Sequence, residues 1–308
     1  MNHRTFRQRC TALLFAAVFC PAASFAADQP KIKVMLLTGQ CSQYHNWQVS
    51  SGVLKHILDE PGLFKVDAVQ APAKGADLTA FKPDFAKYQV VVLDYDGDDW
   101  PAATREAFGK FIADGGGLVA FHATDNAFPS WVEFNEMIGV GGWAGRTEKA
   151  GAKVRWRDGK IALDESPGTA THPARHDFLV VTRSPNHPIM KGLPAEWLHA
   201  SDELYSQLRG PAKNLEVLAT ASADPAKQKN GTGENEPMLM AIRFGKGRIF
   251  HTTLGHVGPR DTAAPDSVNC VGFMATLQRG TEWAATGKVT QAVPRDFPLA
   301  DKTSVRKP

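Results

Sequence analysis

Four polar segments, each directly behind a run of apolar residues, hold the side chains of this sequence best placed to move protons. Gln40, Cys41, Tyr44, His45, Asn46 and Trp47 follow the first run. Asp94, Tyr95, Asp96, Asp98, Asp99 and Trp100 follow a later one, His122, Thr124, Asp125 and Asn126 the next, and His251 to Thr253 with His256 close the last. Imidazoles titrate near neutral pH and serve as acid or base without needing a nucleophile. Carboxylates and amides hydrogen-bond hydroxyl groups, and indole faces offer apolar surface to sugar rings. The stretch Asp202-Glu203-Leu204-Tyr205 reads as lying outside regular structure. It sets two carboxylates beside a phenol, an arrangement suited to orienting a sugar, to acid–base work, or to capping a loop. His122 and His256 are therefore the expected proton-transfer pair, with His45 and Glu203 assisting. Gln40, Asn46, Trp47, Asp94, Asp96, Asp125, Asp202 and Tyr205 are the expected substrate contacts. Plainer readings stand beside these: Asn46 or His45 capping a helix, residues 94–99 forming a solvated turn, and Trp47, Trp100, Trp131 and Trp143 packing in the core.

What is absent narrows the chemistry. There is no Gly-x-Ser-x-Gly, and no Ser or Cys on anything resembling a nucleophile elbow. Neither His-Glu-x-x-His nor paired Cys-x-x-Cys occurs, so no metal or other cofactor is expected. Ligands drawn from separate loops leave no local motif, however, and His45, His122 and His256 remain an alternative set for a metal-dependent hydrolase. Gly115-Gly116-Gly117 precede a strand rather than a helix, which makes them a helix stop and not a phosphate loop.

The elements that must position these residues follow from hydrophobic spacing. Residues 31–38, 64–69, 90–94 and 118–122 read as strands. Between them, 49–59 has helical spacing and is stopped by Pro61-Gly62. A second helix starts at Pro101 and buries Phe108, Phe111 and Ile112, and a third lies near 131–138. Alternating strand and helix predicts a doubly wound α/β sheet. Beyond about residue 150 the segments 153–158, 178–182, 215–219, 238–244 and 248–253 read as antiparallel strands. Gly245-Lys246-Gly247 forms the last hairpin turn, and 267–286 a closing helix. In open α/β sheets ligands bind at the carboxyl ends of the strands, which is where the four polar segments fall.

The chain has 308 residues. Its first 26 pair a cationic start (Arg4, Arg7, Arg9) with a short apolar run and a small-residue cleavage site, the pattern of a secretory signal peptide. Removing those arginines takes the formal charge from +3 to zero. That balance argues against a nucleic-acid partner, which would call for a basic surface. An exported, periplasmic or secreted protein is expected, with residues 27–288 as one domain, 289–308 as a surface tail, and no membrane contact once the signal is cleaved. Cys41 and Cys270 remain in a compartment that permits disulfides, and a bridge between them is geometrically conceivable. Oligomeric state is not readable from the sequence.

Taken in order, several segments resemble the trehalose-utilisation (ThuA-like) family. They are Leu36-Leu37-Thr38-Gly39 with His45-Asn46-Trp47, Gly115 through Thr124, His187-Pro188-Ile189 with Gly192-Leu193, Trp197, Asp202 to Tyr205, and Gly245 through His256. The likeness spans about residues 32–285. It implies a class I glutamine amidotransferase-like fold: a flavodoxin-like, mainly parallel sheet with an antiparallel extension. In true amidotransferases the turn after the fourth strand carries a cysteine nucleophile, and a late His-x-Glu pair completes the triad. Here those places read His122-Ala123-Thr124 and His256-Val257-Gly258, so thiolate attack on glutamine is unavailable. The resemblance also implies a small-molecule sugar partner, a trehalose-like disaccharide or a 3-keto sugar.

Overall fold

The computed structural model describes Met1 and residues 31–306; the signal-peptide reading of residues 1–26 otherwise lies outside the described residues. In chain order the elements are β1 (Ile32–Thr38), α1 (Trp47–Asp59), β2 (Phe64–Gln70), β3 (Val90–Leu93), α2 (Ala102–Ala113), β4 (Gly117–Phe121), α3 (Val132–Ile138), β5 (Ala152–Arg157), β6 (Lys160–Asp164), β7 (His176–Thr182), β8 (Glu196–Asp202), β9 (Arg209–Gly210), β10 (Leu215–Ala221), β11 (Glu236–Phe244), β12 (Gly247–Thr252), α4 (Asp266–Asn269) and α5 (Val271–Thr286).

Nine strands form one sheet in the order β2-β1-β3-β4-β12-β11-β10-β7-β8. The first five are parallel, which is the flavodoxin order. The last four continue antiparallel. A strand whose two faces are both covered must be apolar where it is covered, and Val34 to Leu37 of β1 are. Val34 and Leu36 join the core layer beneath α1 and α5, while Met35 and Leu37 join the layer beneath α2 and α3. Gly280 is where α5 rests on the sheet: a Cβ there would come within 2.1 Å of the Phe250 ring on β12. A small second sheet, β6-β5-β9, is tied to the main one by the fully buried ion pair of Arg155 with Glu236.

Two expectations change, and the conceivable Cys41–Cys270 bridge is not formed. The closing helix is broken at Cys270, whose backbone is extended because residues 304–305 pair with it and with Val271. That same tail was expected only to lie along the surface. It closes the far edge of the sheet instead, with Leu198 donating to the Leu299 carbonyl and Phe297 packing on Trp197. Finally, Cys41 and Cys270 are both free. Cys41 donates to the His45 carbonyl at 3.0 Å, whereas Cys270 is fully buried beside His199, so the two sulfurs serve different surroundings.

Candidate functional site

The carboxyl ends of β1, β4 and β12 deliver His45, His122 and His256 to one edge of the sheet. β8 runs in the same direction as these strands and ends at Asp202, so it brings Glu203 and Tyr205 to that edge too. The sequence reading had left 202–205 outside regular structure. It missed β8 because the strand buries His199 and Asp202 alongside Trp197, and polar residues on the inner face hide the alternation.

The three imidazoles form a nearly equilateral triangle, with ring centroids 5.3 Å (His45–His122), 5.1 Å (His45–His256) and 5.1 Å (His122–His256) apart. One nitrogen of each lies within 4.8 Å of one from each of the others. His122 Nδ1 donates to the Thr253 carbonyl at 2.6 Å, which leaves Nε2 of the neutral ring as an acceptor facing His256 Nδ1 at 3.0 Å. His256 Nδ1 is also 3.0 Å from Glu203 Oε2. His45 contacts Ser42 Oγ through Nδ1 and the Tyr205 hydroxyl through Nε2, both at 3.1 Å. The Tyr205 ring covers His122 at 4.3 Å.

His122 sits at φ +37°, in the left-handed region. That costs a side chain about 1–3 kcal/mol and persists only where the surroundings over-determine it. Here the Thr253 bond and the Tyr205 ring do so. The turn thus presents an imidazole at the carboxyl end of β4. Burial, with His256 and His45 close by, holds His122 well below the usual imidazole range. Burial likewise takes His45 down to about 3, helped by His256. Both rings are therefore neutral at pH 7. Burial pushes the Tyr205 phenol well above its ordinary value, and the Asp125 and Glu203 carboxylates push the same way.

Asp202 is the anchor beneath this group. Its fully buried carboxylate accepts from Gly255 N (2.7 Å), His256 N (3.0 Å), Glu203 N (2.8 Å) and His199 Nε2 (2.8 Å). One side chain thereby fixes the backbones of two candidate functional residues. Gly255, at φ +102°, brings that backbone against Phe121 and Phe273, where a Cβ would come within 2.7 Å of a ring. The other flank of the loop is held by Asn46, which donates to the Asp261 carbonyl (3.0 Å), and by Asp261 itself, which accepts from Gly258 N and Arg175.

The imidazoles adjoin a cavity of about 670 Å³, lined among others by His45, Asp96, Trp143, Glu203, Tyr205 and His256. Of the expected proton-transfer residues, His45, His256 and Glu203 face it and His122 lies behind them. Of the expected substrate contacts, Asp96 and Tyr205 are in the wall. The other six are not, because each is occupied in holding structure. Gln40 bonds the Pro72 carbonyl and Asp98 N. Asn46 caps α1, Trp47 opens it, and Asp202 is the anchor just described. Asp94 accepts from Ser50 Oγ at 2.7 Å, and Asp125 is fully buried near Asp96 and Arg146. Trp100 and Trp131 are core residues, while Trp143 is at the cavity. The sequence reading did not single out Ser42 or His172, whose Nδ1 is 3.6 Å from Glu203 Oε2. Ser42 sits three residues before His45, a usable signal; His172 lies in a loop with none.

Burial takes the Asp94 carboxyl up to about 7, against the Ser50 hydroxyl, which favours the ionised form. A carboxyl raised above its unfolded value of about 4 favours folding most when protonated, and that benefit fades as pH rises from 4 through 7. Asp94→Asn is therefore expected to melt a few degrees higher than wild type at pH 8, a gain of roughly 1–3 kcal/mol, and to match it near pH 4. Paired melting curves at the two pH values check this.

A family model described as trehalose utilisation, ThuA, matches residues 33–284. Among solved structures, a ThuA-like protein from Parabacteroides merdae ATCC 43184 is 48% identical, with a TM-score of 0.86 over 90% of this chain and 98% of its own. A ThuA-like protein from Bacteroides uniformis ATCC 8492 is 18% identical, with a TM-score of 0.54 over 86% of this chain and 95% of its own, a likeness of fold. No curated protein matches.

Proposed function

The chain belongs to the trehalose-utilisation (ThuA) family, and we propose that it is an enzyme acting on a disaccharide or its 3-keto derivative by acid–base chemistry. The observation that carries this reading is the meeting of three imidazoles and the Glu203 carboxylate at a cavity that has an indole and a phenol in its wall and no nucleophile at the strand-end turn. Ligand pockets for small molecules run from roughly 300 to 1,000 Å³, and about 670 Å³ fits a disaccharide. A ketone at C3 of a glycoside acidifies the proton on C2. Glu203 accepts that proton, the C1–O bond breaks as the C1–C2 double bond forms, and the departing oxygen takes a proton held by His256. His45 and Tyr205 hydrogen-bond the keto oxygen, and His122 orients His256 from behind. The charge-patterned start of the sequence supports work outside the cytoplasm, in the periplasm or medium.

The test is to incubate purified protein with trehalose-like disaccharides and matching 3-keto glycosides, following products by mass spectrometry and binding by calorimetry. Conversion of a 3-keto glycoside is the expected outcome. Saturable binding without product would make the protein a carbohydrate-binding module on an enzyme fold, and neither binding nor product would remove the sugar reading.

A further inference from the structure

We propose that His45, His122 and His256 form a binding site for one divalent metal ion of the zinc class. The donor set is three imidazole nitrogens from three separate strand ends. Three atoms no more than 4.8 Å apart lie within about 2.8 Å of a common point. Zinc–imidazole bonds are about 2.0–2.1 Å, so each donor needs to move by less than ~1 Å to coordinate. Side-chain rotation can supply that without disturbing the strands.

The surroundings match what such a site requires. Metal-bound histidines generally fix their second ring nitrogen on a carbonyl, carboxylate or hydroxyl. His122 does so with the Thr253 carbonyl and His45 with Ser42 Oγ, which leaves Nε2 of His122 facing His256 and Nε2 of His45 against the Tyr205 hydroxyl, a contact that coordination would replace. His122 Nε2 and His256 Nδ1 lie 3.0 Å apart, so two of the three donors already converge on the common space. Glu203, 3.0 Å from His256 Nδ1, supplies negative charge at the cavity side. Neutral nitrogen donors favour zinc and its late first-row neighbours over magnesium or calcium, which take oxygen. The burial of His122 also acquires a purpose. A ring with about 1% of its surface exposed has little access to substrate, but it can hold an ion that does. Held by these three imidazoles, an ion would supply a Lewis acid beside the cavity, and Glu203 would keep its proton-accepting role.

The site stands independently of the sugar reading, because its test is metal content and not turnover. Full-length protein is stripped with chelator, equilibrated with Zn²⁺, freed of excess and assayed for bound metal; a parallel sample receives Co²⁺ and is read by visible absorption. The expected results are about one zinc per chain and the intense cobalt bands of a low-coordinate nitrogen site, with both falling at least ~10-fold in His45→Gln. His122→Asn should do the same, and His45→Gln, nearer the cavity mouth, covers the case in which the deeper variant fails to fold. Less than about a tenth of an equivalent in wild type, or metal retained in a folded His45→Gln variant, would overturn the proposal.

Discussion

Glu203→Gln is expected to lower kcat on whichever 3-keto glycoside the product screen identifies by about 10²–10⁴-fold, the usual worth of a positioned acid or base. The change is isosteric and removes only the capacity to accept a proton. The Glu203 backbone stays bonded to Asp202, and its side chain contacts only His256 and His172 among charged partners. The melting temperature should therefore move by no more than about 2–3 °C, as for a substitution that creates no cavity and buries no unpaired charge. KM should change little, because Gln keeps the hydrogen-bonding reach of Glu. The measurement is kcat and KM side by side with a melting curve. Undiminished kcat in a folded variant would take the base away from this residue, whether or not a metal is present.

The second large effect falls on stability. Asp202→Ala leaves three backbone N–H groups and the His199 imidazole without their acceptor in a fully buried place. Removing one partner of such a pair costs about 3–5 kcal/mol, which for a chain of this size lowers the melting temperature by roughly 10 °C or more. Activity should fall further than stability, because the backbones of Glu203 and His256 lose their common anchor. Burial opposes charge on His199, but Cys270 and Asp202 beside it outweigh burial and push it up to about 10. Burial also opposes charge on Asp202, yet its bonds to His199 and the backbone hold it far below the usual carboxylate range. The signs follow from linkage. The imidazolium contribution is complete below about pH 6.5 and erodes as pH climbs toward 10. The carboxylate contribution is complete above about pH 4 and is lost in stronger acid. Asp202→Asn, which keeps an acceptor but no charge, should flatten the alkaline part of that slope without removing it, because Cys270 still raises His199. Unfolding free energies measured from pH 6 to 10 for both proteins test it.

The parallel half of the fold could be read directly, because strands such as Val90–Leu93 are apolar on both faces and the helices between them are punctuated by Pro101, Pro61-Gly62 and Gly115. The strand-end rule then brought His45, His122 and His256 to one edge before any coordinates. What could not be read was which polar residues at that edge face open space. Asp94, Asp125 and Gln40 look as functional in sequence as Asp96, yet all four lie past the strand ends, where loop conformation and long-range partners rather than a period set side-chain direction. Asp96 reaches the cavity while Asp94 turns toward Ser50. β8 escaped because its buried face carries an ion pair, a long-range device with no local periodicity. The Cys41–Cys270 bridge, only conceivable from the sequence, does not form for a related reason. The sequence placed both near one edge, but Cys270 turns inward toward His199, a direction set by the tail pairing at residues 304–305.

The centre of the sheet is filled from the end of the chain. β12 is inserted beside β4, and α5 covers β3, β4 and β12. A nascent polypeptide leaving the ribosome therefore carries an uncovered, wholly apolar β4 until almost everything downstream has been translated. Contacts of such long sequence separation slow folding and prolong exposure of sticky strand edges. The histidine triangle, which needs His256 behind β12, cannot assemble before that late strand has joined the sheet.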